Sequence, residues 1–268
     1  MKWARNVAIA FLLVIAVSSL LAGFIAPSGY AHQFRDLPDS PPSHQHWLGT
    51  DDLGRDRFAR LLYGTRVSLL LAPAAALIAT ILAAVIGGSA GFLGGWYERV
   101  IMSATDLFLS LPWLFLLITV RALMPLNVSP ITSVVITFAL LGLLGWAAAA
   151  RVVCSDARTL RNSDFILLAR ANGTSEFRLV TRHLLPNVIP VLYAQFWISI
   201  PVFILTEANL GVLGLGVSEP LPSWGSLLRE LEGYAAMTSG VWLFVPLFLF
   251  IAVVSCFEFL VADREYAA

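Results

Sequence analysis

The chain has 268 residues, of which 58% are hydrophobic and only 13% charged, with a formal net charge of zero and a mean hydropathy of +0.80. A soluble domain carries roughly 25% charged residues, so there is too little polar surface here to cover a water-soluble globule. The ~10-residue alternating segments of a β-barrel are absent, the zero net charge points to no class of partner, and no nucleic-acid partner is expected.

Six apolar stretches follow in chain order: Asn6–Ile25, Val67–Gly91, Val100–Val120, Ile131–Val153, Val188–Leu210 and Val241–Ala262. Each is long enough for a ~30 Å hydrocarbon core at about 1.5 Å per residue, which predicts an all-α membrane protein of about six transmembrane helices. The first stretch, behind Lys2 and Arg5, exceeds the ~7–15 residues of a secretory-signal core and reads as a retained signal-anchor helix over residues 1–26. The other five form a core over residues 67–262, and residues 1–268 read as a single transmembrane domain.

The first long connection, Ala26 to Arg66, is rich in Pro, Asp and His and ends in LGTDDLGRDRFARLLYGTRVSLL (Leu48–Leu70). Gly49 and Gly54 permit tight turns there, and Asp51, Asp52, Arg55, Asp56 and Arg57 form a dense mixed-charge cluster. Phe58, Leu61 and Leu62 follow as an amphipathic stretch before Arg66 opens the second span. The local expectation is a charge-satisfied knot that fixes how the chain re-enters the bilayer. His44 and His46 read as solvated loop residues, Cys154 and Cys256 as small apolar residues, and no metal-ligand spacing occurs.

The second long connection, residues 154–187, carries Arg158, Arg161, Arg170, Arg178 and Arg182 behind Arg151. Together with Lys2 and Arg5, this bias predicts that both termini and this loop are cytoplasmic. At helix period it divides in two. Asp164 is placed to cap a helix with the face Phe165, Leu168, Ala169 and Asn172, and Gly173 to end it. Thr174 and Ser175 are placed to cap a second helix that Pro186 stops. The result is a helix–glycine–helix elbow leading into the fifth span; periodicity alone fits equally an amphipathic helix lying on the membrane.

Three acids fall within apolar stretches, Asp106, Glu207 and Glu258, where a charge costs about 2.5–3.5 kcal/mol at helix centre. The reading preferred here is that Asp106 and Glu258 lie near interfaces and that Glu207 pairs with nearby glycine-rich backbone. Gly211, Gly214 and Gly216 permit close helix approach or a broken helix, so Glu207, Gly211 and Gly214 are candidate gate or pathway residues.

The stretch ARANGTSEFRLVTRHLLPN (Ala169–Asn187) resembles the EAA motif of ABC-importer permeases, with Ala169, Gly173, Leu185 and Pro186 at the motif's positions. Its glutamate would fall at Leu167 and its first alanine at Leu168, so the acid that names the motif is missing. The Leu48–Leu70 stretch resembles the LGTDxxGRDxxSRLxYGxRxSL segment of the C-type permease subunits of dipeptide, oligopeptide and nickel ABC importers, with Ala59 in place of serine. EANLGVLGLG (Glu207–Gly216) with PSWG (Pro222–Gly225) resembles that family's segment at the outer end of span five, whereas Phe257–Ala268 departs from its tail.

The resemblance implies a type I ABC importer permease fold with a cytoplasmic EAA-type coupling helix. It implies an inner-membrane, multi-pass permease subunit for peptides or related small solutes, with a homologous B-type permease, two ABC ATPase subunits and an extracytoplasmic solute-binding protein as partners in the lipid bilayer. Asp164, Leu168, Ala169, Arg170, Ala171, Gly173 and Pro186 are the expected ATPase-coupling residues; Gly49, Asp51, Gly54, Arg55 and Asp56 carry the outer signature. Lys2 is the only lysine, so a Walker A loop is absent. The chain is expected to be no enzyme and to hold no cofactor, with ATP and Mg bound by the partner ATPases. The alternative is a proton-coupled secondary transporter built on Glu207 or Asp106.

Overall fold

A computed structural model describes residues 2–123, 128–232 and 240–265, without the side chains of residues 2 and 263–265. The Lys2 charge used for orientation therefore lies outside the described residues. Every regular element among them is helical, with only two isolated β-bridges, Gln33–Arg55 and Thr50–Asp56. In chain order they are α1 (Lys2–Leu20), α2 (Ala22–Ile25), α3 (Arg57–Leu93), α4 (Gly95–Ser110), α5 (Trp113–Ala122), α6 (Pro130–Leu144), α7 (Ala147–Arg161), α8 (Asp164–Ala171), α9 (Glu176–Leu179), α10 (Leu185–Val212), α11 (Trp224–Arg229) and α12 (Val245–Glu265).

Five helical segments are long and apolar enough to cross a membrane, or six if the bent pair α4–α5 counts as one span. That agrees with about six spans, but the third differs from the continuous Val100–Val120 helix expected. It breaks between Ser110 and Trp113 with a bend of 76°. Pro112 is the cause. Its ring disfavours helical backbone at the preceding residue, and Leu111 is extended at φ −80°, ψ 133°.

The second span also departs from expectation. The amphipathic stretch Phe58, Leu61 and Leu62 forms the first turns of α3, continuous with the second span, and Ala59, Leu61 and Leu62 are buried. At 37 residues the helix is about 55 Å long, well over the hydrocarbon thickness. The fourth span runs on through α7 to Arg161 rather than ending at Val153, which shortens the connection behind it.

By contact the described chain falls into two compact units, and α3, α5, α6 and α10 contribute residues to both. The first comprises residues 1–73, 120–138 and 200–268, and within it α1 packs on α12. The second comprises residues 74–119 and 139–199, and within it α4 packs on α7. Its core is small-residue packing in the manner of membrane helices. Ala83 and Phe92 of α3 meet Ala150, Val153 and Ala157 of α7 and Leu179, Leu184 and Val188 beyond it. A Cβ at Gly87 would collide with the Ala150 carbonyl, and one at Gly91 with that of Cys154. These two glycines, one turn apart, let the helices touch backbone to backbone.

Candidate functional site: a helical elbow and a charged knot

In the second unit α8 and α9 form the elbow. Asn172 closes α8, and Gly173 follows in the left-handed region at φ +75°. Gly173 N–H donates to the Arg170 carbonyl (2.9 Å) and Thr174 N–H to that of Ala169 (3.1 Å), the Schellman pattern that ends helices at glycine. The start of α8 differs from expectation: Ser163, not Asp164, occupies the N-cap position, and neither Ser163 nor Ser175 makes a side-chain cap bond. The Ser163 hydroxyl instead donates back to the Leu160 carbonyl at 2.5 Å, so it is spent on the preceding turn.

The buried face of α8 also differs. Ile166 is fully buried and Ala169 packs on the core, whereas Phe165, Leu167 and Leu168 face outward, Leu168 being 64% exposed. The inward register is set by Ile166, the one large residue on the Ala169 side. Arg170 pairs with Glu176 through two 3.2 Å bonds, Nε to Oε1 and Nη2 to Oε2. Ala171 is exposed and Asp164 lies in the first helical turn.

Pro186 does not stop the second helix. A π-helical turn, Val180–Leu184, links α9 to α10, and Leu185 N–H donates to the Val180 carbonyl five residues back. Pro186 has no N–H for the ordinary ladder and its ring clashes with the carbonyl four residues earlier. The widened turn falls just where that conflict arises, and the helix continues. Residues Glu176–Val212 therefore form one segment long enough to span a membrane.

In the first unit, the outer-signature residues come together as a knot of charge. Gly49 and Gly54 both have positive φ, +72° and +73°, and the turn at Gly54 delivers Asp51 beneath Arg55. Asp51 is fully buried; its Oδ1 accepts the backbone N–H groups of Leu53 (3.0 Å) and Arg55 (2.7 Å), and its Oδ2 accepts Arg55 Nε (2.6 Å). Asp56 is equally buried, accepts Ala59 N–H at 2.7 Å, and pairs with His46 Nδ1 at 2.7 Å. His46 is thus a buried partner of Asp56, not a solvated loop residue; Phe34 packs edge-on against its ring.

The knot closes on residues that local sequence does not single out. Arg60, buried, donates to Glu219 Oε1 (2.9 Å) and Oε2 (3.2 Å), and Arg55 Nη1 donates to Glu219 Oε2 (2.5 Å). Arg57 and Arg60 each approach Glu230 at 3.5 Å. Burial works against the Glu219 charge, but the hydrogen bond and charge of Arg60, joined by Arg55, prevail and hold its carboxyl below the usual range. At Glu230 burial wins, with Asp51 adding repulsion, and the carboxyl is pushed up despite Arg60 and Arg57.

Glu207, late in α10, is fully buried and accepts from Ser68 Oγ of α3 at 3.2 Å. Ser68 also accepts Trp224 N–H (3.3 Å), and Trp224 Nε1 donates to Thr65 (2.9 Å). Gly211 lies against Gly225 so closely that a Cβ on either would overlap the other's Cα. Gly214, at φ +76°, ends α10, where Leu215 N–H donates to the Leu210 carbonyl at 2.8 Å. Arg121 then grips the carbonyls of Leu215 and Gly216, each at 3.0 Å. Asp106 is elsewhere, in the second unit, exposed and 3.4 Å from Arg151. Among the described residues no group of three or more His, Cys, Asp or Glu gathers as a metal site.

Residues 61–262 match the family described as binding-protein-dependent transport system inner membrane component. The chain is 33% identical over 239 residues to the dipeptide transport system permease protein of Bacillus subtilis, covering 88% of this chain and 72% of the relative. It is 35% identical over 257 residues to the nickel transport system permease protein of Escherichia coli K12, covering 95% and 90%. Over 255 residues it is 32% identical to the glutathione transport system permease protein of Pectobacterium atrosepticum, covering 94% and 83%.

Proposed function

This chain belongs to the family of binding-protein-dependent transport system inner membrane components, and from that membership we propose that it is one of two pore-forming permease subunits of an ATP-driven importer for peptides or related small solutes. Its partners are a homologous second permease, two ATPase subunits and an extracytoplasmic binding protein. In this reading both termini and the elbow are cytoplasmic, and the charged knot is outside. The ATPases hold ATP and Mg, and the chain itself carries out no chemistry.

The observation that supports the reading best is the continuity of the elbow with a span. A push on α9 reaches along Glu176–Val212 through an unbroken helical segment, and the last two turns of that segment carry Glu207 and Gly211. The outward face of α8, with Phe165, Leu167 and Leu168, offers the ATPase an apolar contact. Leu167, 49% exposed, stands where the EAA motif has its acid, so docking here rests on apolar area and on the charges of Asp164 and Arg170 beside it. The likeness to dipeptide, glutathione and nickel permeases supports a small, polar solute.

The test is to purify the chain from its membrane with whatever binds it, then to reconstitute the assembly in proteoliposomes. Co-purification of two ATPase copies, with uptake that requires ATP and the binding protein, is the expected result. Uptake by this chain alone on a pH gradient, abolished by Glu207→Gln, would overturn it in favour of a proton-coupled carrier.

A further inference from the structure

We propose that Arg170 is a positioning residue that sets the angle of the elbow, by clasping Glu176 across the Gly173 turn while lying over the ring of Phe92. The clasp itself stands on geometry alone; its effect on coupling rests on the function proposed above.

The turn between α8 and α9 has little else to hold it. A Cβ placed on Gly173 meets nothing within 4 Å, so backbone hydrogen bonds alone shape the corner. The limbs are anchored in the core by Ile166 and Ala169 on α8 and by Leu179 on α9. Phe165 and His183 add a ring contact with centroids 6.4 Å apart. Such contacts are non-directional and set no particular angle between the limbs.

Arg170 supplies the missing constraint. It lies in the last turn of α8, and Glu176 is the first residue of α9. Two parallel bonds, both 3.2 Å, join the guanidinium to both carboxylate oxygens, and this forked arrangement fixes the plane of the group as well as its distance. The guanidinium carbon is 5.6 Å from the centroid of Phe92, a ring buried in the core of the second unit. One side chain thus ties α8 to α9 and both to α3. An exposed ion pair adds little to stability. The consequence is expected in geometry, not in melting.

The experiment uses the full chain in phospholipid nanodiscs, with Cys154 and Cys256 replaced by Ala and spin labels placed at the outward-facing positions 168 and 177. A single narrow distance distribution is expected. Arg170→Ala and Glu176→Ala each broaden it, Arg170→Lys broadens it in part because an ammonium lacks the fork, and the swap Arg170→Glu with Glu176→Arg narrows it again. An unchanged distribution in Arg170→Ala, or a swap that fails to narrow it, overturns the clasp. In the intact complex, stimulation of ATP hydrolysis by the co-purified binding protein should fall about two- to fivefold in Arg170→Ala and return in the swap. A broadened elbow with undiminished stimulation would retain the clasp and sink the coupling role given to the elbow.

Discussion

Asp51 and Glu219 sit on opposite sides of the same arginines and differ in how far water reaches them. Asp51 is fully buried, and its carboxylate is filled by two backbone N–H groups and Arg55. Removing its charge leaves Arg55 and Arg60 without their inner counter-ion, a loss of about 3–5 kcal/mol for a buried pair. The Glu219 side chain is 51% exposed, so water can replace much of what it gives, and about 1 kcal/mol is expected. Thermal unfolding in detergent should therefore show Asp51→Asn falling much further than Glu219→Gln. The second variant also has a pH signature. A carboxyl held below its ordinary range stabilises the fold above its unfolded value of about 4.3, and that contribution is lost as pH falls through the folded value. The gap between wild type and Glu219→Gln should be constant near neutrality and close on acidification. Glu230, pushed up, acts the other way: its contribution is present below the unfolded value and lost as pH rises through the folded one.

Much of this knot is invisible in local sequence. The density of Asp and Arg between Asp51 and Arg57 announces a cluster, and two glycines announce its turns. Nothing within reach announces Glu219, 159 positions after Arg60, because ion pairs between distant segments leave no periodicity behind. His46 was legible in principle. A histidine flanked by apolar Trp47 and Leu48, ten residues before Asp56, already differs from His44 among prolines and serines.

At the scale of helices the apolar runs located every span, because burial in lipid demands length and little else. What they concealed was shape. Pro112 inside an apolar run carried the signal for the bend, and the apolar run over residues 165–168 misdirected the expected face of α8, which put Phe165 and Leu168 inward where Ile166 is the residue buried. Two contrasts test the packing. Gly87→Ala should cost about 1–3 kcal/mol, the usual range for overpacking, since its methyl meets the Ala150 carbonyl; at Gly88 the nearest neighbour is Val153 Cγ1 at 3.9 Å, and Gly88→Ala should melt within error of wild type. At the elbow, Gly173→Ala has open space and is opposed only by its left-handed backbone, about 1–2 kcal/mol. Gly173→Pro cannot adopt that backbone and also removes the N–H given to Arg170. It should insert normally yet separate ATP hydrolysis from transport, measured as solute taken up per ATP in proteoliposomes; normal coupling would remove the elbow from the mechanism.

For the whole molecule, family membership and apolar spans make it a multi-pass membrane protein, and its assembly is the property to probe. In the assembly proposed above, Phe165→Ser with Leu168→Ser should leave the second permease bound and release the ATPases, because those side chains face away from the core. Pull-down through this chain reads both associations at once. Retention of the ATPases would move the docking surface off α8.

The π-helical turn between the elbow and the fifth span sets a different kind of constraint, one of length and not of identity. It holds one residue more than an α-helical ladder needs. Deleting one of its residues would restore the regular ladder and bring the Pro186 ring back against the carbonyl four residues earlier. Substitutions at the exposed Thr181 and Arg182 should be tolerated, and single-residue deletions across the turn hardly at all.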